Sequence, residues 1–458
     1  TWASQPWLSR EECLEKLANI PKDRDDDQNI QKRLNQMLEI SENLPDKDAR
    51  FFDNNGKLKN SGILWSAHYA LLDAKLAARR NTRDFTAWDP ASSSAFIKDS
   101  LSGKEECIGD EDFWKTLHKN HQDIFTASSH RYGAMNLIKK LWCSYDQESY
   151  LAKNLSLPYG AYKNAIKYDS VEDIAKADMQ NSSYVAILAM DGDQMGKWIS
   201  GAKLPKLIEQ LSPKAKEYLE DKVGDLKRLL TPAYHLQFSK ALANFSMYKA
   251  REIVEEFDGR LIYAGGDDVL AMLPAKQAFD CAKELRKAFR TDYDPETGYL
   301  YPGSKCDVSA GIAFGHFKAP LQMLVREAQN AQNTAKNEYN RSALAVRLYK
   351  RSGEIIHWGC KWNSIALELM QNISQFTDAG KLSKRFPYAL AERLQPYADF
   401  DKSFFEIIKL DFKDVLSRQG EKLSKEESKA LQENTEKYLA EEELKPEDFL
   451  KLFLTESF

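Results

Sequence analysis

The sequence predicts an α+β fold in which a ferredoxin-like sheet is flanked by helical domains. Two observations carry this prediction. Between Ser183 and Trp362 short apolar runs alternate with segments of helical periodicity, as expected for strands that are joined by helices. Before and after this segment the apolar residues recur mainly at helical spacing. We therefore expect a mainly helical region over residues 1–180, a sheet domain over residues 181–363 and a helical bundle over residues 364–458.

The first strand of the sheet domain is predicted at Tyr184–Met190. This continuous apolar run is typical of a strand that is covered on both faces, and it ends in Asp191, Gly192 and Asp193. Open α/β sheets bind ligands at the carboxyl ends of their strands. Asp191 is therefore expected at the carboxyl end of a central strand, in a position to bind a ligand.

The second element that carries chemistry is a predicted β-hairpin over Leu261–Leu273. Two apolar runs flank Gly265, Gly266, Asp267 and Asp268, so we expect two buried strands and a tight turn that presents both carboxylates to solvent. Glycine tolerates the positive φ of such a turn and lets a ligand approach the backbone. Adjacent carboxylates repel each other, and a divalent cation that prefers oxygen ligands would relieve the repulsion. An ordinary Asp/Gly turn is the alternative interpretation.

The other elements complete an elaborated ferredoxin-like order, β-α-α-β-β-α-β-α-β. In this topology the first strand lies beside the hairpin, so Asp191, Asp267 and Asp268 are expected to converge. Palm-type nucleotidyl transferases and nucleotide cyclases have this carboxylate arrangement and hold two metal ions about 4 Å apart. The predicted segments are helices near 195, 233–257, 276–289 and 320–337, a charged helical insertion over 205–230, and strands over 306–314, 344–349 and 354–358.

Composition narrows the class of protein. The chain has 458 residues, of which 43% are hydrophobic, which is ample for several cores. No run of eighteen apolar residues is present, so no membrane span is predicted, and a net charge of -4 does not indicate a nucleic-acid binder. The six cysteines lack the spacing of a zinc site or disulfide framework, so we expect a cytoplasmic protein with reduced thiols. The start at Thr1, without a methionine or signal peptide, suggests part of a longer protein.

Several linked motifs resemble the palm domain of the large signature subunit of type III CRISPR effector complexes, most closely the III-B (Cmr) branch. The motifs that carry the resemblance are Ala189–Trp198, Gly265–Asp268, Ser309–Ala313, Trp65–Tyr69, Ala77–Phe85 and Arg131–Trp142.

The resemblance implies an activity. When such complexes capture a target RNA by pairing it with their guide RNA, the palm condenses ATP into cyclic oligoadenylate second messengers. On this model Asp191, Asp267 and Asp268, with the backbone carbonyl of Gly192, bind Mg²⁺ or Mn²⁺. Four further residues are expected near ATP: Gly265 and Gly266 beside the triphosphate, Lys336 at a phosphate and Ser309 at the adenine. Alternatively, Lys336 is an exposed helix lysine and Ser309 a packed strand residue.

The resemblance also implies partners: the small subunit and the guide-end subunit of the complex, together with guide and target RNA. The C-terminal bundle is expected to dock the small subunit, with Phe449 and Phe453 on the apolar face of its last helix. Ser424–Glu443 is almost wholly polar, so we expect a solvated helix surface there.

Two departures from the family leave a second function open. The four-cysteine zinc motif of many relatives is missing from this sequence, and we find no HD nuclease motif. Relatives also have a first palm, and we expect residues 1–180 to hold a remnant of it. The alternative to the enzyme is therefore a scaffold subunit that binds guide and target RNA and whose nucleotide site is vestigial or sensory.

Overall fold

The computed structural model describes residues 3–19, 35, 64–84, 97–142, 168–177, 183–223, 227, 230–397, 404–441 and 444–456, apart from isolated positions within these ranges. Most of residues 20–63 and 143–167, which belong to the predicted N-terminal helical region, lie outside the described residues. The chain forms two compact units, Asn81–Asp169 and a larger unit of Thr1–Arg80 with Ser170–Phe458. The three-domain division drawn from the sequence stays a prediction.

The smaller unit has a core of aromatic and aliphatic side chains from two helices and their connection. The buried residues are Trp114, Phe125, Tyr132 and Leu137. In chain order, the helices of the protein that precede the sheet are α1 (Arg10–Ala18), α2 (Trp65–Asn81), α3 (Glu111–Asn120), α4 (Ala134–Trp142) and α5 (Val171–Ala175), of which α3 and α4 belong to the smaller unit.

A buried carboxylate organises the smaller unit. Asp99 is 2% exposed, and its Oδ1 accepts hydrogen bonds from the backbone N–H groups of Leu101 and Ser102. Its Oδ2 accepts from the N–H of Gly133, and the Asn136 amide donates to both oxygens. Burial opposes ionisation of Asp99, but these hydrogen bonds outweigh it and lower the pKa of the carboxyl to about 2.

Six strands of the larger unit form one sheet in the order β2-β3-β1-β4-β5-β6. The central strand β1 is antiparallel to both β3 and β4, whereas β4 and β5 are parallel. The predicted α+β, ferredoxin-like order is confirmed, and with it the position of the first strand beside the hairpin. The strands are β1 (Tyr184–Gly192), β2 (Arg260–Gly265), β3 (Asp268–Pro274), β4 (Val308–His316), β5 (Ala343–Tyr349) and β6 (Ile355–Lys361).

Helices connect these strands, and several of them pack on the two faces of the sheet. They are α6 (Met195–Ile199), α7 (Pro213–Val223), α8 (Pro232–Asn244), which continues through a π-helical turn at Phe245–Lys249 into α9 (Ala250–Glu256), then α10 (Ala278–Phe289) and α11 (Leu321–Asn337). Helix α11 approaches β4 very closely, because a Cβ at Gly311 would lie 2.2 Å from the carbonyl oxygen of Ala328. This close packing fixes the height of α11 above the sheet.

The hairpin differs from the prediction in one of its strands. Strand β2 is the edge strand, and Ile262 and Tyr263 on it are 46% and 54% exposed, so the expectation that both strands are buried is wrong for β2. A register shift between Leu261 and Tyr263 interrupts the β2–β3 ladder, as in a β-bulge, which is common on edge strands.

The C-terminal helices pack on the sheet domain, and their buried residues join one core with those of the strands. Phe449 and Phe453 are 2% and 0% exposed, so the expectation that they form a docking face is wrong: they are internal. The segment Ser424–Glu443 is also not simply a solvated surface, because Asn434 and Tyr438 on it are buried. The helices are α12 (Ala366–Asp378), α13 (Phe386–Leu394), α14 (Phe405–Gln419), α15 (Lys425–Leu439) and α16 (Pro446–Glu456).

Within the described ranges, none of the helices is both long enough and apolar enough to cross a membrane.

Candidate active site

The backbones of the three predicted acids meet at one edge of the sheet. Met190 of β1 pairs with Val269 of β3 in antiparallel register, so the next residues along the ladder, Asp191 and Asp268, are neighbours across the two strands. Cross-strand neighbours have Cα atoms about 5 Å apart and point to the same face of the sheet. The strand register therefore places Asp191 and Asp268 side by side on the same face of the sheet.

Asp267 reaches the same edge from the tip of the hairpin. Gly266 and Asp267 form the two-residue turn, and Gly266 has a φ of +71°, as the first central residue of a type II′ turn requires. The backbone of Gly192 lies beside the Asp267 carboxylate and favours its charged form. A Cβ at Gly192 would lie 2.8 Å from the Cβ of Asp267, so the contact depends on glycine.

The surroundings of the two hairpin carboxylates disfavour their charged forms. Burial raises the pKa of Asp267, and the negative charge of Asp268 raises it further. Desolvation also raises the pKa of Asp268, although its side chain is more exposed than that of Asp267. A cation between them would stabilise both charged forms, because an opposite charge favours ionisation.

Asp191 already has a cationic partner. The ammonium group of Lys336, near the end of α11, forms an ion pair with Asp191 Oδ2, and the two side chains are only 22% and 20% exposed. Burial lowers the pKa of Lys336, and the nearby charge of Arg341 lowers it further. Lys336 is therefore not an exposed helix lysine. It is a cation at the edge of the sheet where Asp191, Asp267 and Asp268 lie, which we call the acidic edge.

Ser309 lies opposite Asp191 on β4 but is fully buried. Its hydroxyl donates a hydrogen bond of 2.7 Å to Asp193 Oδ1. A contact of this hydroxyl with adenine would require exposure and the loss of that bond. We therefore assign Ser309 to the support of Asp193 and leave it out of the proposed nucleotide contacts.

A further carboxylate, that of Asp307, lies next to β4 and forms ion pairs with two arginines. Asp307, which precedes β4, accepts two hydrogen bonds of 2.8 Å from Arg286 and one of 2.6 Å from Arg290. Burial opposes its ionisation, but the Arg286 guanidinium and the Ser342 hydroxyl outweigh burial and lower the pKa of Asp307. Both arginines come from α10, so this group joins α10 to the start of β4.

The chemistry of these donors fits a magnesium-type ion. Carboxylate oxygens are the ligands that hard divalent cations prefer, and a cation, Lys336, already contacts Asp191. In the part of the chain that the structure describes, no three histidine, cysteine or carboxylate side chains come together closely enough to enclose a metal ion. Because Asp191 pairs with Lys336, ion binding by all three acids requires its carboxylate to leave that partner.

The fold and this edge define the class of protein: a palm domain of the nucleotidyl cyclase/polymerase type. A protein-family comparison shows what this domain is similar to, because residues 184–345 match the model of the Cas10/Cmr2 second palm domain. The resemblance drawn from the sequence is confirmed over these residues.

Curated relatives extend the similarity. The chain is 38% identical over 234 residues to the CRISPR system Cmr subunit Cmr2 of Pyrococcus furiosus, which covers 49% of this chain and 26% of that protein. It is 38% identical over 228 residues to the Cmr2 subunit of Saccharolobus solfataricus, covering 42% and 22%. The chain thus spans about a quarter of the length of these relatives.

A solved structure supports the fold over most of the chain. The apo state of a type III-B Cmr-β complex contains a chain that superposes with a TM-score of 0.55 at 13% identity, covering 89% of this chain and 62% of that one. At this level of identity the similarity concerns the fold alone.

Sequence reasoning missed Asp193, Asp307, Ser342 and the two arginines as parts of this edge. One signal for Asp193 was available, since it lies two residues after Asp191. The others depend on contacts between residues that are far apart in the sequence and have no local signature.

Proposed function

We propose that this chain is a subunit of a type III RNA-guided antiviral effector complex and that its palm joins ATP into cyclic oligoadenylates by two-metal nucleotidyl transfer. The observation that carries the proposal is the register that makes Asp191 and Asp268 cross-strand neighbours, together with the contact of Asp267 with Gly192. Three acids from two separate segments then share one edge of a palm sheet.

Asp191, Asp267, Asp268 and the carbonyl of Gly192 are the proposed ligands of Mg²⁺ or Mn²⁺. When bound, such ions activate the attacking 3′-hydroxyl and neutralise charge on the α-phosphate and the leaving pyrophosphate. Burial raises the pKa of Asp267 and of Asp268, and a bound divalent ion would favour the charged forms of both.

Lys336 is the proposed phosphate-binding side chain. It lies at the acidic edge, it is largely buried, and its ammonium group neutralises Asp191. Once another cation satisfies Asp191, the same ammonium group is free to meet a phosphate oxygen, which is worth more in a partly desolvated site than in water.

Gly266 leaves the hairpin tip open to a triphosphate. Gly265 pairs with Asp268 at the end of the ladder, and the Tyr263 side chain fills the space beside it, whereas a Cβ at Gly266 would meet no atom within 4 Å. At Gly266 the missing side chain therefore allows a ligand to approach the backbone, and at Gly265 the Tyr263 ring has to move first.

The proposed partners are the small subunit, the guide-end subunit, guide RNA and target RNA. The support for them is indirect: curated relatives are named as Cmr subunits. A chain that superposes with a TM-score of 0.55 belongs to a Cmr-β complex described as bound to cognate target RNA.

One observation favours the second candidate function, a scaffold with a vestigial nucleotide site. The carboxylate of Asp191 is held by Lys336, and no closed three-acid cluster occurs among the residues described. The scaffold and the enzyme make opposite predictions for ATP turnover.

The test is product formation by the assembled complex with labelled ATP, Mn²⁺ and target RNA, analysed by mass spectrometry. We expect oligoadenylates from the wild type and at least a hundredfold less from the Asp267→Ala, Asp268→Ala double variant, since loss of a metal ligand removes electrostatic stabilisation of the transition state. Equal product from both proteins would reject catalysis by this site and favour the scaffold.

A further inference from the structure

Asp193 connects three segments of the palm that are far apart in the sequence. Its Oδ1 accepts from the Ser309 hydroxyl of β4 at 2.7 Å, and its Oδ2 accepts from the N–H of Ser342 at 2.8 Å. Its own N–H donates to the carbonyl oxygen of Asp307 at 2.8 Å. Asp193 is 5% exposed, so its bond with Ser309 is shielded from water and its bond with Ser342 is partly shielded. We call Asp193, Ser309 and Ser342 the Asp193 clamp.

The clamp holds an unusual stretch of backbone. Asn340, Arg341 and Ser342, which join α11 to β5, have φ values of 50°, 60° and 46°. Three consecutive non-glycine residues in the left-handed region are disfavoured for L-amino acids. Such a conformation persists only where the surroundings determine it, and it often marks a functional site.

Hydrogen bonds from neighbouring residues hold residues 340–342 in this conformation. Besides the Ser342 N–H bond to Asp193, the Ser342 hydroxyl donates to Asp307 Oδ2 at 2.6 Å. The Lys361 ammonium group donates to the carbonyl oxygens of Asn340 and Arg341, both at 3.1 Å. Hydrogen bonds thus join residues 340–342 to the carboxylates of Asp193 and Asp307 and to Lys361 on β6, the last strand of the sheet.

The stretch begins directly after the helix that carries Lys336. Helix α11 ends at Asn337, one residue beyond Lys336, and the N–H of Arg341 donates back to the carbonyl oxygen of Ala335 at 3.1 Å. The positive charge of Arg341 acts on both Lys336 and Asp193. The conformation of residues 340–342 is therefore coupled to the end of α11, where Lys336 lies beside Asp191.

We propose that Asp193 is a positioning residue of the nucleotide site: through the clamp it holds residues 340–342 in their left-handed conformation and so places Lys336 to meet a triphosphate. This inference rests on the proposed function. Asp193 itself contacts Ser309 and Ser342 and acts on the ligand only through Lys336.

Two substitutions at Asp193 separate its hydrogen bonds from its charge. Asp193→Ala removes both accepted bonds and leaves the partly buried N–H of Ser342 without the acceptor that Asp193 provides. Asp193→Asn can keep both, because its carbonyl oxygen can accept from Ser342 while its amide donates to the Ser309 hydroxyl, which can also act as an acceptor. If positioning is the role, asparagine should restore what alanine loses.

Two controls separate positioning from stability. Leu390→Ala empties a fully buried position in α13, so it lowers the melting temperature without touching the acidic edge. Ser309→Ala removes one clamp bond but leaves the Ser342 N–H bond to Asp193 intact. Its effect should lie between those of the wild type and Asp193→Ala.

The experiment uses the full 458-residue chain and measures the Kd of a non-hydrolysable ATP analogue with Mn²⁺ by calorimetry. The Kd of Mn²⁺ alone is measured by electron paramagnetic resonance and the melting temperature by scanning calorimetry. We expect Asp193→Ala to weaken analogue binding at least fivefold while Mn²⁺ affinity changes less than threefold. Asp193→Asn should return to within twofold of the wild type, and Leu390→Ala should bind the analogue normally despite its lower melting temperature.

Two results would overturn the positioning role while leaving the proposed function in place: normal analogue binding by Asp193→Ala, or a loss that Leu390→Ala reproduces at equal melting temperature. Absence of analogue binding by the wild type would reject the proposed function, and the positioning role with it. In the assembled complex, the KM for ATP of Asp193→Ala should rise more than its kcat falls; a fall in kcat alone would contradict placement of a phosphate ligand.

Discussion

The Asp267 carboxylate lies against Gly192, at a place where no side chain fits. A Cβ at Gly192 would come within 2.8 Å of both the Cβ of Asp267 and the Cγ of Met195. This contact connects the tip of the hairpin to the end of β1, and the proposed metal site depends on it.

Gly192→Ala should therefore push the hairpin tip away from β1. We expect Mn²⁺ affinity and ATP turnover to fall at least tenfold, because the new methyl group collides with Asp267 near its backbone rather than at a flexible chain end. The matched control is Gly196→Ala, since a Cβ at Gly196 meets nothing within 4 Å and alanine favours the helix there. Equal losses from both variants, measured by Mn²⁺ titration, would contradict the contact.

Lys336→Met should separate the two proposed roles of the lysine. Removing the ammonium group frees Asp191, so we expect Mn²⁺ to bind severalfold more tightly while the ATP analogue binds at least tenfold more weakly. Lys287→Met is the control, because that lysine is 74% exposed and pairs with Glu284 on the same helix, α10. A weaker Mn²⁺ complex in Lys336→Met would show that the lysine supports the acids instead of competing for them.

The Asp307 group should stabilise the larger unit. Asp307→Asn weakens the bonds from Arg286 and Arg290, and we expect about 1–3 kcal/mol less free energy of unfolding in urea, since hydrogen bonds between charged groups are lost and two guanidinium groups remain. The control on the same helix is Glu284→Gln, which breaks an exposed ion pair with Lys287 and should cost less than about 0.5 kcal/mol. Similar losses from both variants would contradict the account.

The smaller unit should lose stability in acid because of Asp99. Its pKa is about 2, below the ordinary 3.8, so its contribution is complete above about pH 4 and is lost as the pH falls towards 2. The shift corresponds to about 2 kcal/mol. Amide hydrogen exchange of α4 in the full chain should therefore lose protection over this range. Asp99→Asn should lower protection at pH 6 and remove most of its acid dependence; an unchanged acid profile would contradict the assignment.

Much of the palm could be predicted from the sequence because its signals are local. The apolar run before Asp191 and the two glycines of the hairpin determine a central strand and a tight turn, and both are where the sequence places them. The exposure of Ile262 and Tyr263 could not be predicted, because an edge strand can have the same apolar residues as a buried one. Only the strand order shows that β2 lies at the edge of the sheet that the described residues form.

The support of the site was not predictable for a different reason. Asp193 and Ser342 are 149 positions apart, and no spacing rule connects a turn aspartate to a distant backbone N–H. The burial of Asn434, in a polar segment, could not be predicted for a related reason. The Asn434 side chain is buried and donates a hydrogen bond to Glu368 on α12. A polar residue on a helix becomes internal when another helix supplies its hydrogen-bond partner.

The central claim is that Asp191, Asp267 and Asp268 share a pair of divalent ions. The most direct test is the structure of the protein with Mn²⁺ and a non-hydrolysable ATP analogue, with the ions located by anomalous scattering. Our account predicts two manganese peaks about 4 Å apart, with the Asp191 carboxylate on the ions and Lys336 on a phosphate. A structure in which nucleotide and manganese are bound elsewhere, or in which Asp191 stays paired with Lys336 while the hairpin acids hold no ion, would contradict it.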